Sequence, residues 1–134
     1  MKILNLISSA IVVFGFTMSA NAAANYQFVG VDNSIGTSMC LAAVTNDKRA
    51  LRRKILRSGS NILSTNTKVR MVARTLRCND LIIANFALKY SALVTFAYLD
   101  RFTREEDKIG RTKVIIQDIS ATQGKTTIVL IASN

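Results

Sequence analysis

Residues 2–22 decide where this chain folds, and through that what can hold it together. Lys2 gives a short positive start, and Ile3 to Phe16 is an almost unbroken apolar run. Ala20-Asn21-Ala22 then offers small residues at the two positions a signal peptidase reads. The pattern predicts a secretory signal peptide over residues 1–22, cut after Ala22. The apolar run is short for a membrane span, and small and polar residues follow it at once. The first cysteine is Cys40, far beyond the run, which argues against lipoprotein attachment. Residues 23–134 are then expected to fold as one small domain outside the cytosol, periplasmic or secreted.

A chain of about 110 residues buries a limited share of its surface. There is no Trp and no Pro, so the core must be aliphatic with some Phe and Tyr. Cys40 and Cys78 therefore matter. Two cysteines in an oxidising compartment usually pair. A bridge across that separation would restrict the unfolded chain by about 4 kcal/mol in the chain-entropy model. Two buried free thiols are the alternative. A metal site is disfavoured, because the chain has no His and two thiolates do not complete a tetrahedral set.

The spacing of apolar residues predicts an α+β domain. Tyr26 to Val31 reads as a short strand. Asp32 and Asn33 are cap types for a first helix over Ser34–Thr45, in which Ile35, Met39, Ala42 and Ala43 recur and Gly36 is a mild weakness. Asn46-Asp47 breaks and recaps. A second helix follows over Lys48–Arg57, with Leu51 and Ile55 inward, and Ser58-Gly59-Ser60 stops it. Residues 61–66 read as a loop.

Residues 67–77 fit two templates. Val69, Val72, Ala73 and Leu76 match a helix; Val69, Met71 and Ala73 match a strand. The helix is the better fit, because a strand would put Val72 and Leu76 among the arginines. Asn79-Asp80 is read as the cap of a helix over Leu81–Tyr90, and Leu93, Phe96 and Ala97 mark another. The helical part covers residues 33–101. Beyond a charged connection, Val114-Ile115-Ile116 and Thr127–Ile131 are β-branched runs around the turn residues Ala121-Thr122-Gln123-Gly124, which predicts a β-hairpin over residues 112–132. A lone hairpin is marginal in water. Pairing with the Tyr26–Val31 strand would give a small antiparallel sheet of three strands beneath the helical hairpins.

The segment Cys40-Leu41-Ala42-Ala43, with Leu51 and Ile55 after it, is echoed by Asn85-Phe86-Ala87-Leu88, with Thr95 and Leu99 after it. Each half looks like a helical hairpin. Two copies cannot make a solenoid, which needs about three, and the ankyrin consensus is missing. The run Leu81–Leu99 has Lys89 as its one charge. A mid-bilayer Lys costs about 2.5–3.5 kcal/mol on insertion scales, so two short buried helices with a turn near Ser91 are the preferred reading, and no transmembrane segment is expected after the leader.

Catalytic chemistry finds little to use. Without His, Ser–His and Cys–His nucleophile systems are excluded. Glu105-Glu106-Asp107 sits among Arg104, Lys108 and Arg111 as a charge-balanced turn. It lacks the spacing of a calcium loop, and no phosphate-cradling Gly-rich loop occurs. The expectation is a non-enzymatic protein with no cofactor and no metal.

Charge is the stronger signal. The formal net charge is +10. Most of it comes from residues 47–77, where Lys48, Arg49, Arg52, Arg53, Lys54, Arg57, Lys68, Arg70, Arg74 and Arg77 face one acid, Asp47. Lys48, Arg49, Arg52, Arg53, Lys54 and Arg57 fall within three helical turns and form the candidate anion-binding site. Arg49, Arg52 and Arg53 share one side, with Lys48 at its edge. Arg70, Arg74 and Arg77 would line a further face if that segment is helical. Arg forks suit phosphate and carboxylate groups, and such a surface attracts polyanions in a salt-dependent way. A merely solubilising face is the plainer alternative. The expected partners are anionic lipid, lipopolysaccharide or an acidic envelope protein. Nucleic acid is disfavoured, since no aromatics interleave the basic residues. The competing function is a structural, self-associating envelope protein that uses its terminal hairpin edge.

Three blocks carry a family resemblance: Cys40-Leu41-Ala42-Ala43, Leu51-Arg52-Arg53-Lys54-Ile55-Leu56, and Leu76-Arg77-Cys78-Asn79-Asp80 followed by Phe86-Ala87-Leu88-Lys89-Tyr90. Together they resemble a family of short exported proteins, mainly from marine Gram-negative bacteria, known only as a domain of unknown function. Its pattern couples an early Cys to a Cys-Asn-Gly block and a Phe-Ala pair. Asp80 stands here where Gly is usual, and Ser91 where Gly is expected. The resemblance covers Met39 to Leu99. It implies a Cys40–Cys78 bridge and a periplasmic or secreted home, and it carries no activity or ligand.

Overall fold

A computed structural model describes residues 25–109 and 126–134. The expected leader, the Val114–Ile116 half of the hairpin and its turn lie outside the described residues. Strand β1 (Tyr26–Gly30) leads into three helices, α1 (Ile35–Val44), α2 (Lys48–Arg57) and α3 (Thr65–Thr75). Two-residue strands β2 (Arg77–Cys78) and β3 (Leu81–Ile82) follow, then α4 (Ile83–Lys89) and α5 (Leu93–Asp100), a single 3-10 turn at Glu105–Asp107, and strand β4 (Thr127–Ile131). The α+β class and the helical body are as the apolar spacing indicates.

Short side chains start the first three helices. Ser34, Asp47 and Ser64 accept from the amides of Thr37, Ala50 and Thr67 at 3.1, 2.8 and 3.3 Å. Ser34, rather than Asp32 or Asn33, is the first cap. The Asp32 carboxylate accepts instead from the Ser34 amide at 2.9 Å, and its hydrogen bonds with Ser34 hold it below the usual carboxylate range. Residues 67–77 resolve as helix only in part. α3 ends at Thr75, because Leu76 is extended and Arg77 pairs in a strand.

α1 and α4 end alike. Asn46 (φ 61°) and Ser91 (φ 60°) take the left-handed conformation. Asp47 N–H donates to the Ala42 carbonyl at 3.1 Å, and Ala92 N–H to the Ala87 carbonyl at 2.9 Å. These are Schellman closures, and each turns the chain straight into the next helix. The internal echo noted in the sequence is this repeated helix–turn–helix. Leu81–Leu99 accordingly forms the short strand β3 and two short helices. Among the described residues no helix is long and apolar enough to cross a membrane.

Leu51 and Ile55 of α2, Val69 and Ala73 of α3, Ile83, Phe86 and Ala87 of α4, and Leu99 of α5 are buried together with Met39 and Ala43 of α1 and Ile131 of β4. Fully burying a side chain of this kind contributes about 1.5–3 kcal/mol. Cys40 of α1 and Cys78 of β2 are joined (Cα–Cα 5.8 Å), and both are completely buried.

Two further expectations are corrected. Asn79-Asp80 does not cap a helix. Both residues have positive φ (47° and 67°) and make the two-residue turn of a β2–β3 hairpin. α4 starts only at Ile83, whose amide donates to the Leu76 carbonyl at 3.1 Å.

The second correction concerns the sheet. β1 and β4 pair in parallel, Tyr26 opposite Thr127 and Gly30 opposite Ile131, and not in an antiparallel sheet. The cause lies at the end of β4. Residues 132–134 run antiparallel to residues 77–79, with Arg77 and Asn134 exchanging both backbone bonds (3.1 and 3.2 Å) and Asn79 N–H donating to the Ala132 carbonyl (3.0 Å). The disulfide fixes β2 against α1, so the tail must arrive at the N-terminal end of α1. β1 arrives there too, and two strands with a common destination run the same way. Gly36 makes room for this. A Cβ there would lie 2.5 Å from Ser133 Oγ. Its weakness as a helix former is offset by close approach of the tail.

Candidate anion-binding face

α2 is amphipathic at high contrast. Leu51 and Ile55 point inward while α2 packs against α1, α3 and α5. On the other side Lys48, Arg49, Arg52, Arg53 and Arg57 are exposed, and Lys54 is half-buried on the flank. Arg49, Arg53 and Arg57 follow one another at i, i+4 and i+8, a line about 12 Å long at 1.5 Å per residue. The ion pairs among the described residues are Arg104–Glu106 and Lys108–Glu105. None of the six cations of α2 is in either. Lys54 and Arg57, in the last turn, have a favourable interaction with the helix dipole.

Two of the six have further neighbours. Lys48 Nζ stands 5.1 Å from the centre of the Tyr98 ring, a cation–π contact reaching from α2 to α5. Burial pushes the Tyr98 hydroxyl above the ordinary tyrosine range, and the nearby Arg52 charge opposes that shift. Tyr98 also meets Phe102 edge-on, so α5 gives the basic face an aromatic border.

Arg70, Arg74 and Arg77 do not form a second helical face. Arg70 is exposed on α3. The Arg74 Nε–H donates to the Phe102 carbonyl at 3.1 Å. Arg77, beyond the helix, donates from Nη1 to the Asp80 carbonyl at 3.0 Å. Glu105 and Glu106 are exposed and Asp107 is half-buried in the 3-10 turn, and among the described residues no group of three or more His, Cys, Asp or Glu could hold a metal ion.

Three polar residues do work that the spacing alone did not assign. Asn46 Oδ1 accepts from the amides of Val94 and Thr95 at 2.9 and 3.1 Å, so a side chain from the α1–α2 turn caps α5. The local cap position, Ala92, has nothing to offer. Lys68 is buried, and its Nζ donates to the Leu56 carbonyl at 2.8 Å, at the C-terminal end of α2. Its place four residues before Val72, on the apolar side of α3, was the available signal. Asn79 uses its whole amide on the tail, from Nδ2 to the Leu130 carbonyl and from the Ala132 amide to Oδ1, both at 2.8 Å.

The described residues form a small disulfide-closed α+β fold that presents a cationic helix face. The chain matches a family described as a protein of unknown function (DUF3718) over residues 39–121, and it belongs to that family. Both cysteines, α2 and the α4–α5 hairpin fall within the match, while β1 and β4 flank it. No curated protein and no solved structure is detectably similar.

Proposed function

We propose that this is an exported, non-enzymatic binding module of a Gram-negative envelope, periplasmic or secreted, which engages anionic envelope components through α2. The observation that carries this reading is the row of exposed cations on α2, none of which has a carboxylate partner among the described residues. Like charges at i, i+4 weaken a helix by tenths of a kcal/mol per pair, a cost that solubility alone does not require of one face. The buried disulfide supports an oxidising compartment. The candidate ligands carry phosphate or carboxylate: anionic phospholipid, lipopolysaccharide or an acidic protein.

The test is a salt titration of binding to phosphatidylglycerol vesicles and to lipopolysaccharide. Binding should fall steeply with salt. Each cation close to such a surface contributes about 1 kcal/mol, so Arg52→Glu with Arg53→Glu should weaken binding at least about tenfold. No binding at low salt, or binding indifferent to the double reversal, rejects the proposal.

A further inference from the structure

The α2–α3 turn presents apolar side chains at the end of the cationic line. Ile62 is 94% exposed and Leu63 is 36% exposed. Isolated exposed apolar residues are ordinary on any surface. Here the turn itself is formed: the Ile62 amide donates to Ser60 Oγ at 3.2 Å, the Leu63 amide to the Ser60 carbonyl at 3.3 Å, and Ser64 begins α3 immediately afterwards. The bond from Lys68 to the Leu56 carbonyl holds the start of α3 on the last turn of α2. The Ile62 side chain is therefore carried outward on a fixed hairpin. Arg57 stands five residues before it, with Arg53 and Arg49 further back along α2.

We propose that this hairpin docks the protein on an anionic phospholipid bilayer, with Ile62 and Leu63 entering the acyl boundary while Arg53 and Arg57 meet headgroup phosphates. The inference rests on the reading of α2 as an anion-binding face and narrows it to one partner. A hydrophilic polyanion satisfies the arginines but gives Ile62 no apolar medium. A bilayer supplies both within one layer: charge at the surface and hydrocarbon a few ångströms below. The aliphatic stems of Arg53 and Arg57 can lie along that boundary while their heads stay hydrated.

The full sequence contains no Trp, so Ile62→Trp introduces a single reporter at a position that packs against little. Leu93→Trp, at the exposed start of α5, is the control. On phosphatidylglycerol vesicles the emission of Ile62→Trp should shift to the blue and be quenched by lipids brominated along the acyl chain. Leu93→Trp should keep its emission in water. Ile62→Ser should weaken vesicle binding about tenfold, by a similar factor at low and high salt, as expected for lost apolar contact. Cosedimentation with an unshifted Ile62→Trp spectrum, or an Ile62→Ser variant that binds as tightly as the parent, overturns bilayer insertion and leaves the basic face standing. No cosedimentation at all overturns both.

Discussion

Asn46 and Ser91 meet the same backbone demand with side chains of different worth. Both sit in the left-handed conformation that closes a helix, where a side chain costs about 1–2 kcal/mol and Asn tolerates it best. The Ser91 side chain is exposed. Ser91→Gly should therefore raise stability by about 0.5–1 kcal/mol, the relief being partly offset by the greater freedom of Gly in the unfolded chain. Asn46→Gly gains less relief, because Asn already tolerates this conformation, and it strips α5 of the side-chain cap it has from Asn46. It should lower stability by about 1 kcal/mol, since a lost cap costs about 0.5–2. Paired urea denaturation curves check both signs. Two substitutions of the same kind moving together, in either direction, would contradict the capping role of Asn46.

At the scale of elements, α2 was legible to its ends, because Asp47 caps it, Ser58-Gly59 stops it, and Leu51 and Ile55 fix its inward side. Its cations were legible for the same reason: a helix with one narrow apolar edge must expose the rest. α3 was legible in kind but began two residues early, since Ser64 is a cap hidden in a stretch that reads as loop. The β2–β3 hairpin was not. Asn and Asp serve equally as helix caps and as left-handed turn residues, and local sequence does not choose between them. The disulfide and the tail choose. Nor was the direction of β4 legible, because pairing with β1 is decided by where the tail docks, a contact remote in sequence. Lys68 shows how charge misleads. Counted in the basic charge of residues 47–77, it is an internal strut from α3 to the end of α2. Lys68→Met keeps most of the stem and loses the charge-assisted bond. It should cost about 1.5–3 kcal/mol in chemical denaturation. A variant as stable as the parent would mean that the bond adds nothing to the α2–α3 packing.

For the whole molecule, one covalent link and one small core share the stabilising role. The bridge spans a sequence separation of 38, and it joins the first helix to the segment that receives the tail. Cys40→Ala with Cys78→Ala should lower unfolding free energy by about 4 kcal/mol, on the loop-entropy scale, plus whatever the lost packing of two buried sulfurs adds. Comparison of the oxidised parent with the double variant in urea measures it. A loss under 1 kcal/mol would show that the helical body holds its shape without the link. Because both sulfurs are buried, thiol reagents should fail to label the reduced parent except under conditions that also unfold it.

The parallel ladder sets an order of assembly. β1 and β4 bracket the helices of the described residues, and among those residues the first strand has no partner until the last one has been delivered. The tail comes to rest against Cys78 and Gly36. Tyr26–Gly30 therefore stays bare along its ladder edge while the helices between the two strands are being laid down.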